Sequence, residues 1–108
     1  MASALEQQFV RQVTAAGLPA PVPEFQFHAT RKWRADFAWP EAMVFVEIDG
    51  GTWTQGRHSR GKGYAEDCVK LNEAALLGYT VIRVTGEHIT SGAALEWVSR
   101  ALSAFYDG

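Results

Sequence analysis

Cysteine is almost absent: Cys68 stands alone among 108 residues. No internal disulfide is available, and a reducing, cytoplasmic setting is expected. Long apolar runs are missing too, none approaching the roughly 18 residues that cross a bilayer. The opening Met-Ala-Ser-Ala-Leu-Glu has neither the basic start nor the apolar stretch of a secretory signal, so no membrane partner is expected. Positive charge is in deficit, with a net of −2, which argues against a protein that coats nucleic acid non-specifically. Charged residues at 20% and apolar residues at 47% exclude disorder, collagen and coiled coil. The length suits one hydrophobic core and not two, so residues 1–108 read as a single domain.

The few basic residues are unevenly placed. Arg31, Lys32 and Arg34 form one cluster and Arg57, Arg60 and Lys62 another; together they hold six of the ten, and neither stretch contains an acid. Two such clusters form a surface suited to a polyanion or, equally, two solvated loops.

Hydrophobic spacing sets the element order. Leu5, Phe9, Val13 and Ala16 predict an amphipathic helix over residues 3–16 with Ser3 as N-cap. Three prolines between Leu18 and Pro23 predict irregular chain. Extended segments follow near Phe25–His28 and Lys32–Trp39, and Met43–Ile48 reads as a central strand covered on both faces. Glycine-rich, basic chain from Thr52 to Gly63 reads as a loop. A second helix spans 64–77, with Tyr64, Cys68, Leu71 and Ala75 inward and Glu66, Asp67, Lys70 and Glu73 outward. A strand over Thr80–Val84 and a helix over 92–105 complete the order α-β-β-β-α-β-α. This is an α/β domain with a mixed central sheet and helices on both faces.

Acids on buried strands are the chemical signal. On the strand ending at Asp49, Val44, Val46 and Ile48 share one face while Phe45, Glu47 and Asp49 share the other. Asp36 interrupts the preceding strand between Ala35 and Phe37. A tight turn at Trp39-Pro40-Glu41-Ala42 would set Asp36 opposite Phe45 and diagonal to Glu47, on the same face. Three ionised acids gathered there require a cation or raised pKa values. Oxygen-only ligands favour Mg²⁺ or Mn²⁺ over zinc. The competing structural role is pairing of the acids with Arg31, Arg34 or Arg83. Ion-bound water could then attack a phosphodiester, with Arg57, His58, Arg60 and Lys62 closing over the backbone of DNA and positioning it without reading sequence.

Arg34-Ala-Asp36-Phe37-Ala38, Pro40-Glu41 and Val46-Glu47-Ile48-Asp49-Gly50 resemble the metal site of the PD-(D/E)XK nuclease superfamily. The likeness is greatest to small stand-alone endonuclease domains related to very-short-patch-repair endonucleases, and it touches Holliday junction resolvases. It continues through Leu77-Gly78-Tyr79-Thr80-Val81-Ile82-Arg83-Val84 and covers roughly residues 4–90. The resemblance implies a restriction-endonuclease-like fold and a Mg²⁺-dependent DNA endonuclease. Asp36 matches the first metal-binding aspartate, Glu47 the acid of the second half-motif, the Ile48 carbonyl a further ligand, and Glu6 the first-helix glutamate. The family's lysine two residues after the glutamate is replaced here by Asp49. Lys70 on the following helix is the expected substitute, with His58 or Lys62 behind it, and Asp49 could instead hold a second ion. A homodimer is expected to suit a two-fold symmetric substrate, with Ala104-Phe105-Tyr106 as a candidate face. The alternatives are a non-catalytic nucleic-acid-binding or protein-interaction module on the same fold, and cleavage of RNA.

Overall fold

The computed structural model describes residues 2–49 and 62–107. The first helix, α1 (Ala4–Ala15), opens on the expected cap: Glu6 N–H donates to Ser3 Oγ at 3.1 Å and Ser3 N–H to Glu6 Oε1 at 2.7 Å. This reciprocal pair satisfies two of the helix's free donors. Phe9 and Val13 carry its buried face, while Ala16 lies beyond its end and is exposed.

Strand β1 (Val22–Gln26) begins three residues earlier than expected and takes in Pro23. A missing N–H is tolerated there because β1 forms one edge of the sheet. It pairs antiparallel with β2 (Arg34–Trp39), Val22 facing Ala38 and Gln26 facing Arg34. A 3-10 turn (Pro40–Ala42), followed by Met43 at φ +57, leads into β3 (Val44–Asp49), also antiparallel to β2. Helix α2 (Lys62–Leu76) crosses to β4 (Thr80–Thr85), which lies parallel to β3. Gly78, at φ +104, makes the left-handed exit from α2. Two helices close the chain, α3 (Gly86–Ser91) and α4 (Ala93–Tyr106). The short α3 was not legible as a helix. Gly92, at φ +90, separates it from α4.

The sheet order β1-β2-β3-β4 divides two apolar layers. Phe37, Trp39, Val44, Val46 and Val84 pack with Phe9, Val13, Ile89, Val98 and Leu102 of α1, α3 and α4. On the other face Phe45 and Ala38 pack with Ala74 of α2 and with Phe27. Helices thus cover both faces of a mixed four-stranded sheet, and the period-2 alternation expected of β3 holds. Trp39 belongs to the core and donates from Nε1 to the Pro19 carbonyl at 2.8 Å. Among the described residues no helix is long and apolar enough to cross a membrane.

Candidate functional site

The β2–β3 register brings two acids level. Phe37 faces Val46, Ala38 faces Phe45 and Trp39 faces Val44; one further step sets Asp36 against Glu47. The tight turn expected at residues 39–42 would have set it against Phe45. The connection instead runs through Pro40–Met43, shifting the register by two residues. At this step the carboxylates engage the neighbouring backbone directly. Asp36 N–H donates to Glu47 Oε2 at 3.2 Å, and Ile48 N–H donates to Asp36 Oδ2 at 2.7 Å. Each carboxylate is thereby held by the other strand. Ile48, expected to contribute its carbonyl, reaches Asp36 through its N–H.

Helix α2 supplies the cation. Lys70 Nζ lies 2.8 Å from Glu47 Oε1, with the two side chains 16% and 18% exposed. The expectation that Lys70 faces outward is corrected. The sheet-facing stripe runs through Lys70 and Ala74, one helical turn apart, whereas Tyr64 is 56% exposed and Ala75 is exposed. A lysine on that stripe is accommodated because an acid stands beneath it. Burial pushes the Glu47 carboxyl above its ordinary range, against the opposing pull of Lys70.

Two more acids converge on Asp36. Carboxylate oxygens of Glu6, Glu24 and Asp36 lie within 4.8 Å of one another. Helix α1 brings Glu6, whose Oε1 is already engaged by Ser3 N–H. Strand β1 brings Glu24, because its register with β2 sets residue 24 level with residue 36. Glu24 was missed: it fell between the proline-rich stretch ending at Pro23 and the strand placed from Phe25. Its backbone sits at φ +50, a conformation that costs a non-glycine residue roughly 1–2 kcal/mol. Burial raises the Asp36 pKa; Glu6 and Glu24 push the same way, while the Ile48 N–H and Lys70 oppose. The salt bridges among the described residues engage Lys70, Arg83 and Arg100, and none reaches Asp36, Glu6 or Glu24.

Asp49 is committed elsewhere. Arg83 of β4 donates from Nε to Asp49 Oδ2 at 3.0 Å, and its Nη2 lies 3.6 Å from Asp67 of α2. The pairing weighed as the competing structural role therefore applies to Asp49, and not to Asp36 or Glu47. Arg31, Lys32 and Arg34 are exposed. The Arg31 guanidinium lies 4.0 Å from the centre of the Trp33 ring, and Arg31 N–H donates to His28 Nδ1 at 3.0 Å. Arg57, His58, Arg60 and the Lys62 side chain lie outside the described residues. Lys62 itself opens α2, two residues before the expected helix start. No protein family, characterised protein or solved structure matches the chain.

Proposed function

We propose that the chain is a divalent-metal-dependent endonuclease of restriction-endonuclease-like fold, related to the PD-(D/E)XK nucleases and hydrolysing phosphodiester bonds in duplex or branched DNA. The supporting observation is the step where Asp36 and Glu47 stand level on adjacent strands, with Lys70 Nζ 2.8 Å from Glu47. That step supplies an acid pair and a cation of the kind the motif requires, the cation coming from a helix and not from the strand position now held by Asp49. A cytoplasmic location accords with the single cysteine.

The donor set fits a hard ion. Glu6, Glu24 and Asp36 offer only oxygen, close together, and the raised Asp36 pKa reflects negative charge that a cation would relieve. Mg²⁺ or Mn²⁺ would be held by Asp36 with Glu6 and Glu24, and by Glu47. When bound, such an ion lowers the pKa of its water and neutralises phosphate charge. The chain's own contributions are distinct. Glu47 orients Lys70, whose ammonium faces the charge that develops on the phosphate. The Asp36–Ile48 hydrogen bond fixes the carboxylate to the rigid sheet. Arg31, Lys32 and Arg34, with Arg57, His58, Arg60 and Lys62, would position the backbone of DNA.

The test is conversion of supercoiled plasmid to nicked circle in Mg²⁺ or Mn²⁺. Wild type should nick, and Asp36→Ala, Glu47→Ala and Lys70→Ala should each slow nicking by about 10²-fold or more. Absence of nicking by wild type on plasmid, branched DNA and RNA would leave the binding-module reading in its place.

A further inference from the structure

The two edges of the sheet differ in kind. Strand β1 is protected: Pro23 has no N–H to offer, and Glu24 departs from extended backbone at φ +50. The β4 strand, Thr-Val-Ile-Arg-Val-Thr, contains neither proline nor glycine. Among the described residues β3 is its sole strand neighbour. Thr80 N–H donates to the Met43 carbonyl on the β3 side, and backbone groups alternate along a strand. Those of Thr80, Ile82 and Val84 therefore face β3, while those of Val81, Arg83 and Thr85 face the open edge. His88 Nδ1 accepts the Thr85 N–H at 3.0 Å, which among the described residues leaves Val81 and Arg83 as the open pair.

Helix α4 overhangs this edge. Ala94, Val98 and Leu102 face the core, but Trp97, Ala101 and Phe105 continue the apolar arc beyond it. Trp97 is 37% exposed and Phe105 45%. With Arg100 and Thr80–Arg83, Trp97 and Ala101 line a groove of about 620 Å³ running along the strand.

We propose that the occupant of this edge is a second copy of the same chain, β4 pairing antiparallel with β4 about a two-fold axis at Ile82. The register is self-complementary. Val81 then stands opposite the partner's Arg83, the two exchanging both backbone bonds as a hydrogen-bonded antiparallel pair does. Ile82 meets its own copy as the closer, non-hydrogen-bonded pair, on the face where Trp97 and Ala101 already line the groove. Charge does not oppose the contact, because Asp49 and Asp67 within each copy compensate Arg83. The assembly also closes at two, since among the described residues the protected β1 edges are the ones that remain. The face is thus β4 with the middle of α4, adjoining the Ala104-Phe105-Tyr106 end considered from sequence. This inference rests on the fold and is independent of any activity on DNA.

Sedimentation equilibrium of the full chain, without DNA, should give twice the chain mass at tens of micromolar. Hydrogen exchange should show the Val81 and Arg83 amides becoming protected as concentration rises. Trp97→Glu changes a partly exposed side chain, and Val81→Pro removes an N–H that faces away from β3. Each should weaken the dimer by at least about 30-fold with helix and sheet circular dichroism unchanged. If Val81→Pro misfolds, Trp97→Glu together with the amide protection still decides the matter. A monomer at 100 µM overturns the proposal, as does a dimer indifferent to Trp97→Glu whose two edge amides exchange freely at every concentration. The first result would leave the edge to an extended segment of another protein, the second would move the interface elsewhere.

Discussion

Replacing Asp36 by asparagine should stabilise the metal-free protein and abolish its response to divalent ions. The Ile48 N–H bond to Asp36 Oδ2, 2.7 Å long, survives with a neutral acceptor. A bond to a charged group is worth about 1.5–3 kcal/mol and a neutral one about 0.5–1.5, so the exchange loses roughly 1 kcal/mol. Against this, Asp36 has two carboxylate neighbours within 4.8 Å. Each like-charge pair at that distance is worth about 0.9 kcal/mol in water and about 3.5 at an effective dielectric of 20. Glu24 is exposed, which places the sum near the watery end, about 2 kcal/mol. The net gain of about 1 kcal/mol corresponds to a rise of roughly 4–8 °C in Tm for a domain near this size. Wild type at an ion concentration of 100 times Kd should gain about 2.7 kcal/mol, a gain the variant should lack. Thermal unfolding in EDTA and in Mn²⁺ measures both. An asparagine variant that melts below wild type in EDTA, or that rises equally with Mn²⁺, would refute the account of this carboxylate as a charge awaiting a cation.

The pKa values of Asp36 and Glu47 are raised in the folded state, chiefly by burial. Their contribution to stability is fully present below the ordinary carboxylate values and is lost as pH rises through the folded ones. The Tm advantage of Asp36→Asn over wild type in EDTA should therefore widen between pH 4 and pH 8; a constant gap would contradict it. Lys70→Met leaves Glu47 without its cation at a site under one-fifth exposed and should destabilise by about 1–3 kcal/mol, a buried-pair loss discounted for partial exposure. Adding Glu47→Gln should recover most of that in a denaturant double-mutant cycle, and additive losses would show that the two side chains do not act as a pair. Glu24→Gly should relieve the positive-φ strain and raise stability in EDTA by about 1 kcal/mol, while halving or more the Tm response to Mn²⁺. A loss of stability in EDTA would show that its side chain supports the fold.

Much of the architecture was readable locally. The Ser3 cap, the 3.6-residue rhythm of α1 and the β-branched run of β3 are short-range signals that agree with their surroundings. The errors fell where neighbours across the chain decide. Pro23 looked like a strand breaker, and it is accommodated because β1 is an edge. On α2, Cys68 and Lys70 could not be ranked by polarity, because an acid on the facing strand makes the lysine position an inward one. Asp36 was placed two residues out of register with Glu47, since turn length sets register and the 3-10 turn was not foreseen.

Residue order alone determined which strands would carry acids and, for β3, which face its residues take, because alternation along a regular strand is a property of the backbone and needs no partner. It also determined that Asp49 stands two residues after Glu47, where the motif it resembles carries a lysine. Tertiary structure alone decided the pairing of charges: Asp49 with Arg83, Glu47 with Lys70, and Asp36 with Glu6 and Glu24. Coulomb forces and desolvation act through space over a few ångströms, and which side chains come within that reach depends on strand register and helix placement, not on their separation along the chain.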